Sequence, residues 1–199
     1  DLSDEERMCR RFEAVMAMET PRILPDEKIV LTRSVSTFGD VYTEEERQTR
    51  GEGYYFYAAY VNNICPSYEE IIRDGFEAYY ENVNPYQKRA MDAVTDLCDR
   101  YRALAKEQGR EDIVEVFDRI PCRGARNFRE ALQFFRVLHF SLWVEGNYHI
   151  TIGRFDRRIA EVLDDQGVGQ LAIGSEGSLV HTLNVALLYA IFNRFGKPM

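Results

Sequence analysis

Between Phe128 and Trp143, apolar residues recur at helical spacing (Phe128, Leu132, Phe135, Leu142), while Phe134, Val137, Leu138 and Trp143 fill the remaining faces. A helix apolar nearly all round is a buried helix. Glu145-Gly146-Asn147 breaks the pattern, and His149-Ile150-Thr151-Ile152 then reads as a short strand closing at Gly153. Helix, turn and strand in this order predict an αβ unit of a parallel sheet. The stretch from Ala125 to Asp156 is the unit around which the rest of the chain is organised.

The preceding residues read as support. Asp4 to Met18 carries Met8, Phe12, Val15 and Met16 at spacings of three and four, with Ser3 and Glu6 placed to form a capping box. Thr20-Pro21 ends this helix, and Ile29-Val30-Leu31-Thr32 is strand-like in composition. Phe38 to Gly53 is polar, with a short helix predicted at Thr43 to Arg47. Tyr54 to Tyr60 holds four tyrosines and a phenylalanine, suited to a core wall, a pocket lining or a partner face, with core favoured. Ser67 is placed to cap a helix carrying Glu69 and Glu70 in its first turn and continuing inward through Ile71, Ile72, Gly75 and Phe76. A long helix follows over 86–108, with Ala90, Val94, Leu97, Tyr101 and Leu104 along one stripe and Gly109 as its stop. A shorter one covers 111–118. The expected class is mainly α with a few short strands (α/β). Residues 1–160 form the principal region, 161–178 a glycine-rich connection and 179–199 an apolar C-terminal helix.

Charge and cysteine spacing exclude several functions. A net charge of -8 and a pI near 5.0 argue against a general nucleic-acid binder, which needs concentrated Lys and Arg. No apolar run is long enough to span a bilayer and no signal peptide is evident, so a cytoplasmic location without membrane association is expected. Cys9, Cys65, Cys98 and Cys122 stand far apart, which favours reduced thiols over a disulfide framework or a zinc site. His139 and His149, with Glu145 between them, lack the spacing of a ligand motif, and a satisfied or surface histidine is the favoured reading of each. No metal is expected.

Four stretches, ETPRILPDEKIVLTR (Glu19 to Arg33), NNICPSYEEIIRDGFEAY (Asn62 to Tyr79), ARNFREALQ (Ala125 to Gln133) and ITIGRFD (Ile150 to Asp156), resemble successive landmarks of the glycyl radical enzymes, the pyruvate formate-lyase-like family. The resemblance implies the helical N-terminal part of a barrel of parallel strands wrapped in helices. It implies an oxygen-sensitive enzyme on which a radical-SAM activase installs a protein glycyl radical, a cysteine thiyl then attacking a small organic substrate. The family's thiyl-cysteine and glycyl motifs have no match here; Cys122 lies in IPCRGA, and Arg194-Phe195-Gly196-Lys197 is only superficially similar. No catalytic residue and no cofactor is therefore assigned to this chain.

The resemblance puts Asn63 where many family members carry a histidine facing the substrate, making it the first candidate for substrate contact; an asparagine capping a loop is the equal alternative. Asn127 is placed either to cap the central helix or to enter the pocket, with capping favoured. Arg154 and Asp156 flank Phe155, as a structural ion pair or with the arginine binding a substrate carboxylate. Partners implied are a small organic substrate, an activase, a complementary C-terminal polypeptide or a second copy of the chain in a homo-oligomer. Two functions stay open: part of a glycyl radical lyase or dehydratase, formate C-acetyltransferase-like, supplying scaffold and pocket wall; or a helical binding and interaction module without radical machinery.

Overall fold

The computed structural model describes residues 2–31, 44–45, 48, 63–64, 66–144 and 149–150. Helix α1 spans Asp4–Met18, and Ser3 caps it by accepting the Glu6 amide at 3.2 Å. Glu6 does not close the expected box; its carboxylate goes to Arg10 and to Arg89. Met8, assigned above to the apolar stripe, is 70% exposed, and Cys9 takes the buried place.

Residues 19–31 form an irregular run buried at Ile23, Ile29, Val30 and Leu31. The strand expected at Ile29–Thr32 is not formed over Ile29–Leu31, which are bends, and Leu31 has a φ of 64°. The reason lies on the central helix. The Gln133 amide brackets Val30, accepting its N–H at 2.8 Å and donating to its carbonyl at 3.2 Å. A side chain thus supplies the pairing that a neighbouring strand would have given, and the apolar composition of Ile29–Leu31 reflects burial rather than ladder formation.

Helix α2 (Tyr68–Asp74) stops earlier than the sequence suggests, because Gly75 (φ 79°) turns the chain into a 3₁₀ turn at Phe76–Ala78. Ser67 makes no side-chain capping bond; its ψ of 62° departs from the extended conformation that brings a capping hydroxyl into reach. The segment 121–125 runs against this turn. Phe76 and Glu77 donate to the carbonyls of Pro121 and Cys122, each at 2.9 Å, and Ala125 donates to Ile72 at 2.8 Å. The approach is so close that a Cβ on Gly124 would stand 1.7 Å from the Arg73 carbonyl oxygen.

Helix α3 (Pro85–Glu107) begins with Pro85 in its first turn and a full capping box between Asn84 and Gln87, and Gly109 (φ 66°) follows its end. Val94, Leu97 and Tyr101 of the predicted stripe are buried, with Cys98 and Ala105 beside them. Helix α4 covers Glu111–Phe117, and α5, the central helix, covers Phe128–Val144. Helix α1 packs along α3, α3 also meets α4, and α2 lies against α5. Arg100 from α3 donates to the Met16 and Glu19 carbonyls at the end of α1, and the Tyr101 hydroxyl donates to Glu19 at 3.0 Å. The two arginine bonds satisfy carbonyls that a helix end leaves open, while the tyrosine holds the Glu19 carboxylate.

The described residues are mainly helical. Their extended pairing joins β1 (Asn63–Ile64) to β2 (His149–Ile150) in parallel, Asn63 opposite His149 and Ile64 opposite Ile150. Glu44 and Glu45, within the short helix expected at 43–47, are helical. The aromatic run 54–60, Cys65, the rest of ITIGRFD, the connection 161–178 and the apolar segment 179–199 lie outside the described residues. Among the described residues, no helix is long and apolar enough to cross a membrane.

Candidate functional site

The β1–β2 pair is where two distant landmarks meet. In chain order β1 comes before α2, and β2 comes after α5. Between α2 and α5, Tyr68 meets Phe135 edge-on at 4.9 Å, and Phe76, just after α2, meets Phe134 at 5.7 Å. These aromatic contacts pack α2 against α5.

Helix α5 carries more than apolar packing. Glu130, Gln133, Arg136 and His139 follow one another at spacings of three, a polar line on an otherwise apolar helix. Glu130 is 3% exposed and its carboxylate takes the Arg126 guanidinium at 2.7 Å and the Arg126 amide at 2.7 Å. Gln133 holds Val30 as described. Arg136 is 5% exposed, with Nη1 3.3 Å from His139 Nδ1 and the guanidinium 5.7 Å from the Phe140 ring centre. Burial pulls its pKa down to about 10, still far above neutrality. Burial and then the nearby Arg136 charge lower His139 to about 4, so its imidazole is neutral at pH 7. A guanidinium held away from water makes stronger hydrogen bonds to oxygen acceptors than one at the surface.

Of the residues chosen from sequence, Asn63 lies in β1 and is paired with His149 through the ladder. Asn127 caps α5: its Oδ1 accepts the Glu130 amide at 2.9 Å, and its carbonyl accepts from Ala131 at 2.9 Å. Arg154 lies outside the described residues. Cys122 is half-buried and its thiol pKa is pushed up by burial and then by Glu77, while burial raises Cys98 well above the ordinary thiol range. Both are thiols at neutral pH, with no thiolate available as nucleophile. Cys9, Cys98 and Cys122 are free. Among the described residues, no three His, Cys, Asp or Glu side chains are grouped to hold a metal ion.

Sequence reasoning passed over Glu130, Gln133 and Arg136, because attention to apolar periodicity hides polar residues inside a buried helix. Their regular spacing was the available signal.

An apolar cavity of about 270 Å³ lies between α1, α2, α3 and α5, against Phe12, Tyr68, Ile71, Met91, Leu138 and Leu142. A larger polar cleft, about 790 Å³, separates α1 from α3; Glu13, Asp92, Asp96 and Asp99 line it together with Arg89 and Arg100. Both arginines are committed, Arg89 to Glu6 and Glu13 and Arg100 to the end of α1. This cleft therefore reads as a helix-helix seam held by ion pairs.

The family model described as pyruvate formate lyase-like matches residues 8–162 of the chain. The chain belongs to the pyruvate formate lyase-like family. A structure solved to explain substrate and enantiomer selectivity in 1,2-propanediol dehydration in Roseburia inulinivorans superimposes with a TM-score of 0.65 at 17% identity, covering 100% of this chain and 36% of that one. At that identity the likeness is one of fold. This member of the family spans about a third of its structural neighbour's length. No curated protein sequence matches it. The landmarks singled out above from Glu19 to Asp156 all fall inside the matched stretch.

Proposed function

We propose that this chain supplies the N-terminal scaffold and one wall of the substrate pocket of a glycyl radical lyase or dehydratase. The observation that carries the reading is the parallel pairing of Asn63–Ile64 with His149–Ile150 inside the family match, since it joins the landmark that holds Asn63 to the one that holds Arg154. In this reading the ladder is a fragment of the family's barrel. Asn63 and Arg154 face a small organic substrate, and Asn127 fixes the helix that leads to the same wall. Asn127 contributes to substrate binding through that placement. A pocket wall of this kind raises reactivity by holding the substrate close to a thiyl radical and away from water.

The reading assigns no radical-bearing residue to these 199 positions. The thiyl cysteine and the glycyl radical come from further polypeptide, in the same product or a complementary one, and a radical-SAM activase generates the radical. The enzyme works anaerobically in the cytoplasm, as an oligomer.

Intact mass of the natural product and electron paramagnetic resonance after anaerobic incubation with a radical-SAM activase and S-adenosylmethionine test this together. A polypeptide much heavier than 23.2 kDa that develops a glycyl-radical doublet is the expected result. Within such an enzyme, Asn63→Ala should lower kcat/KM at least tenfold while leaving the doublet intact. A natural product of 23.2 kDa that forms no radical, alone or with a co-purifying polypeptide, would overturn the proposal.

A further inference from the structure

We draw no further inference here: the strongest candidate, the apolar cavity between α1, α2, α3 and α5 against Phe12, Tyr68, Ile71 and Leu138, carries none, because nothing among the described residues shows what covers it.

Discussion

Gln133→Leu isolates the bond between the central helix and the irregular run before it. The substitution keeps the side chain's approximate size but removes both hydrogen bonds to Val30, whose residue is 0% exposed. An unsatisfied buried N–H or C=O costs about 1–3 kcal/mol, so two cost about 2–6 kcal/mol. Replacing a buried amide by an apolar group returns about 1–3 kcal/mol. The difference between the midpoints of these ranges is a net expected loss of about 2 kcal/mol, read as a lower urea midpoint at nearly constant slope from the fluorescence of Trp143, the single tryptophan. Hydrogen exchange localises the effect: the Val30 amide should lose protection more than amides in the middle of α3. Gln133→Glu adds a test of sign. Its carboxyl is buried against a carbonyl and must be protonated to donate, so its folded-state pKa is raised. Relative to wild type, this variant is then most stable below the unfolded carboxyl range and loses stability as pH rises through the folded value. If Val30 exchange is unchanged in Gln133→Leu, the amide bracket does not hold this loop and the account of Ile29–Leu31 fails.

Gly109, with a φ of 66° and open space around it, and Gly124, pressed against the Arg73 backbone, make a contrasting pair. Gly109→Ala meets open space and should cost only the left-handed strain, about 1–2 kcal/mol, whereas Gly124→Ala drives a methyl into the Arg73 backbone and should cost more than twice as much or prevent folding. Equal thermal midpoints for the two variants would contradict the close crossing. His139, lowered to about 4 by burial and then Arg136, binds its proton more weakly folded than unfolded. Stability should accordingly be full above the unfolded histidine value near pH 6.5 and fall as pH drops toward 4, and His139→Gln should flatten that part of the profile. Asp112 receives Arg110, Arg129 and Lys28, but these groups are partly exposed, so Asp112→Asn should cost only about 1 kcal/mol and the difference should shrink in high salt. A loss that is unchanged in molar salt would point to packing instead of charge.

Helices α1, α3 and α5 were legible because their signals are local. Ser3, Asn84-Pro85 and Gly109 mark ends through groups within one turn, and the burial of α5 follows from its own composition. What escaped is set by partners distant in sequence. Ile29–Leu31 has the composition of a strand, yet a side chain answers its backbone. Gly75 looked like an interior helical residue because the chain segment that forces it to turn, 121–125, lies far along the sequence. Met8 fits the helical period, but period alone does not say where the packed face of α1 ends. At the site, the sequence favoured capping for Asn127, which does cap α5, and marked a strand beginning at His149; what it did not give is that Asn63–Ile64 pairs with that strand, because the two segments lie far apart in the chain.

The Gln133 bracket also has a consequence in time. Val30 leaves the ribosome 103 residues ahead of the side chain that pairs with it. At roughly 5–20 residues per second, this separation amounts to about 5–20 s of synthesis. Throughout that interval Ile29, Val30 and Leu31 are an apolar stretch whose native acceptor and donor do not yet exist. Holding factors that recognise short apolar segments have their opportunity there, and slowed translation between 31 and 133 lengthens it.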